Sequence, residues 1–318
     1  MLLDRRVARR LGPLASRPGS IGARSQGFPM PSDPPDPDPR RPDRGSAAGV
    51  LAEIIAHKRQ EVSAAVAKTP MHEMKARALD AEPPRNFFAA VTRPEGELRV
   101  IAEIKKASPS AGLIRPDFDP QAIAKAYHLS GAAAISCLTD EHFFRGSLDF
   151  IAHIKAAVPL PVLRKDFVID TYQVYEARAA GADAILLIAE CLTEPQMIDL
   201  LILSTELKMT VLLEVHDLES LIQVRSHVGF PHRAYQLLGI NNRNLKDMNV
   251  DLDHTLELLQ YVDNKDVLVS ESGIRTRQDL DRLESAGVHR VLVGEHLMRQ
   301  PDPGLALWRL IHGNAPRS

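Results

Sequence analysis

Glu103 and Lys105 stand two residues apart at the end of the apolar run that begins at Val100. Such a run has the pattern of a strand buried on both faces, and residues two apart in a strand point to the same side. A carboxylate and an ammonium are costly in a dry core unless they are paired or put to use. The pair therefore predicts either a strand end closed by a structural salt bridge or acid–base equipment at the edge of a cavity. Directly after it, Ser108-Pro109-Ser110-Ala111-Gly112 breaks the strand and offers hydroxyls and free backbone N–H groups. Taken alone, this stretch leaves both readings open.

The elements that must hold such a pair follow a steady rhythm. Short apolar runs recur at residues 100–104, 133–138, 161–163, 184–188, 211–213, 237–240, 267–269 and 291–293. Between them lie segments with helical patterning: 123–127, 148–156, 172–180, 194–207, 218–224, 255–259 and 276–286. Two of these end in a glycine suited to a helix C-terminus, Gly181 and Gly287. Eight strands, each with a following helix, predict an α/β fold of the single (β/α)8 TIM-barrel type over residues 99–313. An open, doubly wound sheet usually has fewer strands and wants a glycine-rich dinucleotide turn, and no G-x-G-x-x-G follows the first strand.

Ahead of the barrel, residues 47–98 read as a helical extension, too small to fold alone and expected to pack on the barrel. Leu51, Ile54, Ile55, Val62 and Val66 follow helical spacing over residues 50–68, with Lys58, Arg59 and Glu61 expected to face outward. Pro70 ends that helix, a second piece covers 71–79, and a short apolar helix covers 86–91. Residues 1–46 have the composition of a disordered tail. Six arginines and one acidic residue, Asp4, lie before Met30, and seven prolines lie between Pro29 and Pro42. An Arg-rich, acid-poor start fits an organellar transit peptide, an untargeted tail, or a start upstream of a true one at Met30.

In such a barrel the chemistry sits at the carboxyl ends of the strands, which turns the strand ends into a list of candidates. The first carries Glu103, Lys105, Ser108 and Ser110, and the second runs into Asp140, His142 and Phe144. The third carries Lys165 and Phe167, the fifth Glu214 and His216, and the sixth Asn241 and Arg243. The seventh carries Glu271, Ser272 and Gly273, and the eighth Gly294 and Glu295. Asp140 and His142 read as a solvated face. A ring containing Lys105, Lys165, Glu214 and Arg243 is costly unless it binds something. Three cations suit an anionic ligand, and the glutamates supply acid–base capacity. The small, amide-rich ends of strands seven and eight suit a phosphate. Phe144 and Phe167 either wall an aromatic portion of the ligand or belong to ordinary core packing.

Composition narrows the alternatives. Of 318 residues, 44% are hydrophobic and 25% charged, as in a water-soluble globular chain with ample core. A formal net charge of -2 gives no support for nucleic-acid binding or a polybasic membrane surface. Cys137 and Cys191, both in apolar surroundings, read as small buried hydrophobes and make neither a disulfide framework nor a zinc site. The scattered histidines show no metal-ligand spacing.

Five motifs then carry a resemblance. Ala102-Glu-Ile-Lys-Lys-Ala-Ser-Pro-Ser110, Leu163-Arg-Lys-Asp-Phe167, Leu213-Glu-Val-His216, Gly239-Ile-Asn-Asn-Arg-Asn-Leu245 and Ser270-Glu-Ser-Gly-Ile274 closely resemble the indole-3-glycerol phosphate synthase family of tryptophan biosynthesis, in order, over about residues 50 to 299. The resemblance implies closure of 1-(2-carboxyphenylamino)-1-deoxyribulose 5-phosphate to indole-3-glycerol phosphate with loss of carbon dioxide and water, without cofactor or metal. It implies a cytoplasmic carboxy-lyase, a monomer or weak homodimer, with association with other enzymes of the pathway left open. By position, Lys165 resembles the general acid and Glu214 the general base, while Lys105 resembles the residue that holds the substrate carboxylate and can itself act as an acid, the division of that role between the two lysines being left open. Glu103 is expected to pair with the lysines. Asn241 and Arg243 resemble the groups that orient the anthranilate portion and hydroxyls. Ser108, Ser110, Glu271, Ser272, Gly273, Gly294 and Glu295 fall on the substrate- and phosphate-binding side, and Phe144, Phe167 and Leu186 on the apolar wall. A lysine works as an acid near neutral pH if burial or neighbouring cations lower its pKa, and Lys105 and Lys165 are expected to do this to each other.

Some features depart from the pattern. Glu295 stands where some members carry serine, so its carboxylate is expected to turn away and leave only its N–H to a phosphate. Cys137 stands where a plain apolar residue is commoner, and the connection between His216 and Gly239 looks long and is expected to be a surface excursion. The alternatives to this assignment are another phosphosugar barrel, such as a phosphoribosylanthranilate isomerase relative, and a non-catalytic phosphate-binding barrel.

Overall fold

Residues 47–244 and 248–313 are described by a computed structural model. The Arg/Pro-rich head at 1–46, expected to be disordered, lies outside them, as does Leu245 at the end of the fourth motif.

Three helices come first: α1 (Ala47–Lys68), α2 (Met71–Asp80) and α3 (Phe87–Thr92). β1 (Arg99–Ile104) follows, and its loop folds into a two-stranded hairpin of β2 (Ala107–Ser108) and β3 (Gly112–Leu113). The chain then alternates: α4 (Pro120–Leu129), β4 (Ala134–Leu138), the short α5 (Glu141–Phe144), α6 (Asp149–Ala157), β5 (Val162–Lys165), α7 (Thr171–Ala179) and β6 (Ala184–Ile188). It continues through α8 (Glu194–Glu206), β7 (Thr210–Val215), α9 (Leu218–Val224), β8 (Gln236–Asn241), α10 (Asp253–Leu258) and β9 (Leu268–Glu271). The last turn of the barrel is α11 (Arg277–Ser285), β10 (Arg290–Val293), α12 (Glu295–Met298) and α13 (Pro303–His312).

Strand β1 and strands β4 to β10 close into one parallel barrel, β10 pairing back onto β1. This is the predicted (β/α)8 architecture, and its strands begin or end within a few residues of the apolar runs. Side chains alternate between two apolar layers. Val100, Ala102 and Ile104 point out against the helices, while Ile101, Ala134, Leu163, Ala184, Leu212, Val269 and Leu292 fill the interior. Phe87 and Val91 of α3 join the interior cluster, and the fully buried Arg290 at the start of β10 donates to the Val91 and Thr92 carbonyls. The amino end of the barrel is thus sealed by α3. Where the loops end is set by capping: Asp119, Asp170, Asp217, Thr276 and Asp302 accept from the first turns of α4, α7, α9, α11 and α13.

The extension wraps the side of the barrel at α7. Tyr172 Oη donates to the Ala65 and Thr69 carbonyls at 3.1 and 2.9 Å, and Arg178 donates to those of Ala81 and Glu82. One expectation here is overturned. Lys58 does not face outward but is 3% exposed, because α1 lays it over buried carboxylates at the ends of β4 and β5. The 216–239 connection carries two short 3-10 turns, Arg225–His227 and Arg233–Tyr235, and leaves Phe230 exposed. Among the described residues no helix is long and apolar enough to cross a membrane.

Candidate active site

A cavity of about 730 Å³ opens at the carboxyl ends of the strands, within the usual size for a small-molecule site. Asp140 and His142 stay out of it, and the other candidates line it: Glu103, Lys105, Ser108, Ser110, Phe144, Lys165, Phe167, Leu186, Glu214, His216, Asn241, Arg243, Glu271, Ser272, Gly273, Gly294 and Glu295. Barrel closure does this, since each of these residues ends or follows a strand whose neighbours are set by parallel pairing. The register places Glu214 beside Ile188 and Asn241 beside Glu271.

Lys165 is the centre of the charged cluster. Its Nζ donates to Glu214 Oε2 at 2.8 Å and to Glu271 Oε2 at 2.7 Å. Burial disfavours its ammonium, but Glu214, Glu271 and Glu103 outweigh burial and raise its pKa above the ordinary lysine value. The expected mutual lowering of the two lysines is therefore wrong for Lys165, because carboxylates rather than a second cation are its nearest charges. Lys105 is instead paired with Glu103, Nζ to Oε1, at 2.7 Å. Glu103 so holds one lysine directly and reaches the other only through space.

The two carboxylates on Lys165 are driven apart. Burial pushes Glu214 up, but Lys165 and His216 hold it well below the usual carboxylate range. Burial and the charge of Glu214 push Glu271 up to about 8, against the pull of Lys165. One carboxyl of the pair is thus ionised and the other holds a proton near neutrality. Glycines make the room. A Cβ on Gly239 would overlap Glu271 Oε1, and one on Gly294 would overlap Glu103 Oε1.

Asn241 ties the base side to the anion side. Its Nδ2 donates to Glu214 Oε1 at 3.2 Å, while its Oδ1 accepts from Ser272 Oγ at 2.8 Å and from the Arg243 N–H at 3.0 Å. Ser272 is held at φ 67° and Gly273 at φ 82°, a left-handed turn that a serine adopts at a cost. Across the mouth, Ser108 Oγ accepts from the Ala111 N–H and lies 3.4 Å from Ser110 Oγ. The Glu295 side chain is drawn to two arginines. Its carboxylate lies 3.3 Å from Arg243 and 2.9 Å from Arg299; burial pushes its pKa up, but Arg299, Lys105 and Arg243 together outweigh burial and lower it. Phe144 and Phe167 stand 6.2 Å apart with planes at 41°, and both face the cavity.

Behind this wall lies a second buried cluster. Lys58 Nζ sits 2.6 Å from Glu61, 2.8 Å from Asp140 and 2.9 Å from Asp166. Asp166 also accepts from Thr139 Oγ1 at 2.7 Å and pairs with Arg164 at 3.1 Å. Burial pushes Asp166 up, yet Arg164 and Lys58 bring it down to about 2. Asp140, expected to be solvated, is 1% exposed and also caps α5. Its solvated reading failed because its cation arrives from α1, far away in the chain.

The cavity also takes in residues the sequence did not point to: Arg275, His296 and Arg299, with Val50, Leu51 and Ile54 of α1. His216 lies two residues past Glu214 and so shares its side of the strand. The α1 residues had no signal, because their helical spacing is that of any core-facing stripe. Among the described residues no group of three or more His, Cys, Asp or Glu side chains is placed to hold a metal ion.

A family model described as indole-3-glycerol phosphate synthase matches residues 51–310. The indole-3-glycerol phosphate synthase of Albidiferax ferrireducens is 50% identical over 267 residues, covering 82% of this chain and 97% of the relative. Those of Rhodospirillum rubrum and Rhodopirellula baltica are 49% and 45% identical, each over 82% of this chain and 98% of the relative. Among solved structures, 3-hexulose-6-phosphate synthase aligns with a TM-score of 0.52 at 14% identity, over 69% of this chain and 100% of that one. A tryptophan synthase from M. tuberculosis, in an open form with BRD0059 bound, aligns with a TM-score of 0.52 at 14% identity, over 73% and 99%. At that identity these two likenesses show the fold alone.

Proposed function

This chain belongs to the indole-3-glycerol phosphate synthase family, and from that premise we propose how its cavity performs the family's ring closure. The substrate, 1-(2-carboxyphenylamino)-1-deoxyribulose 5-phosphate, carries a carboxylate, an aromatic ring and a phosphate. Lys105 takes the carboxylate, Phe144, Phe167 and Leu186 take the ring, and Arg243 helps to orient it. Ser108, Ser110, Ser272, Gly273 and the Gly294–Glu295 backbone take the phosphate, with Arg243 and Arg299 keeping the Glu295 carboxylate neutralised.

The observation that carries the reading is the Lys165 ammonium held between Glu214 and Glu271. As the carboxylate-bearing ring carbon bonds to the ketone carbon, the carbonyl oxygen gains charge and takes a proton from Lys165. Loss of carbon dioxide restores the aromatic ring. The new hydroxyl then takes a second proton from the recharged Lys165 and leaves as water, while Glu214 accepts the proton from the adjacent carbon. Lys165 alone is a reluctant acid, since its carboxylates stabilise the ammonium. Glu271, protonated near neutrality and 2.7 Å away, supplies the proton that restores it. On this reading the enzyme is a carbon–carbon carboxy-lyase of tryptophan biosynthesis acting on a small phosphorylated molecule.

The test is formation of indole-3-glycerol phosphate by the purified chain, with Lys165→Ala alongside. The variant is expected to lose turnover while substrate binding stays measurable, because a transition-state acid governs kcat more than ground-state binding. Near-normal kcat in Lys165→Ala would remove Lys165 from the acid role.

A further inference from the structure

His216 stands two residues past Glu214, is 8% exposed, and has a carboxylate on each ring nitrogen. Its Nε2 is 3.1 Å from Glu214 Oε1 and its Nδ1 is 3.2 Å from Glu190 Oε2. The backbone N–H of His216 also donates to the other Glu190 oxygen, at 2.9 Å. Glu190 comes from the 3-10 turn Ala189–Cys191 that follows β6, and its side chain is 21% exposed. Pairing of β6 with β7, through Ile188 and Glu214, is what brings the two carboxylates to opposite edges of one ring. His254 of α10 lies against the same residue, its Nε2 3.0 Å from the His216 carbonyl oxygen.

An ionised carboxylate only accepts hydrogen bonds, and a neutral imidazole has one donor. A ring that serves two carboxylates at once needs both N–H groups and is therefore an imidazolium. The surrounding charges agree. Burial lowers the pKa of His216, but its bonds to Glu190 and Glu214 raise it to about 10.

We propose that His216, clamped by Glu190, is a positioning residue for Glu214: a fixed cation that orients the carboxylate and keeps it ionised through turnover. The need for it lies in the other partner. Glu214 Oε2 is compensated by Lys165, which gives up its proton during the reaction and leaves that oxygen without a charge partner until Glu271 returns the proton. His216 does not take part in that exchange, so the carboxylate keeps a cation throughout. Asn241 adds direction at Oε1 but no charge. The inference rests on Glu214 being the base.

The titratable groups facing the cluster are Glu214 on the strand itself, Glu190 and the Cys191 thiol in the turn after β6 and His254 on α10, with Lys165 and Glu271 beyond Glu214. Steady-state pH–rate profiles of the full chain carrying His216→Ala, His216→Gln, Glu190→Gln or Glu214→Gln test it, with melting temperatures measured in parallel. His216→Ala is expected to lower kcat about ten- to a hundredfold with KM within about twofold, and to move the acid limb of kcat up by about one pH unit. Glu190→Gln is expected to move both quantities the same way by less, and adding it to His216→Ala should change little. His216→Gln, which keeps a donor without the charge, should recover part of kcat but not the acid limb. If Glu214→Gln is inactive while His216→Ala keeps the wild-type kcat and acid limb, the positioning role is overturned. Should Glu214→Gln keep wild-type kcat, the base reading fails and takes this inference with it. If His216→Ala does not fold, Glu190→Gln decides, and an unchanged kcat and acid limb there is the overturning result.

Discussion

At the scale of single residues, the site works by splitting like groups apart. Glu214 and Glu271 are the same residue type on one lysine, yet one is held ionised and the other is pushed up to about 8. Two carboxylates so close cannot both ionise cheaply, and the one with His216 and Asn241 as extra donors takes the charge. This has a consequence for stability. Glu271 holds a proton in the folded chain that it would lose near pH 4.5 when unfolded, so the folded state binds more protons between about pH 4.5 and 8. Stability from this group is therefore complete at low pH and declines as pH rises through that window. Glu271→Gln is expected to raise the melting temperature relative to wild type more at pH 9 than at pH 5, as thermal unfolding at the two values will read. At Gly294, Ala is expected to displace the Glu103 carboxylate and with it Lys105, lowering kcat/KM about a hundredfold with little change in fold by circular dichroism.

At the scale of elements, α1 does more than cover apolar surface. It delivers one cation, Lys58, to carboxylates that follow β4 and β5, and Asp166 is the residue after Lys165. Removing one partner of a buried ion pair leaves the others uncompensated, which costs about 3–5 kcal/mol. Lys58→Met is expected to lower unfolding stability in urea by about that amount. The pH dependence has a definite sign. Asp166 is depressed to about 2, so its contribution is present above its unfolded value near 4 and is lost as pH falls towards 2. Lys58 is raised, so its contribution is present below about pH 10 and is lost only above its folded value. The deficit in Lys58→Met should be flat from about pH 5 to 9 and shrink below about pH 4; a deficit that grew on acidification would contradict the network.

At the scale of the whole molecule, the two ends of the barrel divide the work. The amino end is sealed by Phe87 and Val91 of α3 and by the buried Arg290, while the ionisable ring gathers at the carboxyl end. Substitutions at the sealed end should therefore change stability without changing the chemistry. Phe87→Ala is expected to cost about 3–5 kcal/mol in denaturant unfolding, with kcat per folded molecule near wild type. A kcat loss as large as that of Lys165→Ala would show that the two ends are coupled.

What could be read without the structure was whatever depends on neighbours along the chain. The recurring apolar runs and helical patterning of residues 99–313 were enough for eight strands, their order and the ring of strand-end side chains, because each element answers mainly to its own few residues. The family motifs supplied identity for the same reason, as each lies within one strand end. Ion-pair partners were another matter. That Lys165 meets Glu271, that Lys58 meets Asp166, and that His216 meets Glu190 depends on barrel closure and on strands or helices far apart in sequence. Electrostatics depends on distance in space and on burial, so the protonation of Lys165, Glu271 and Asp166 was decided only by the tertiary structure.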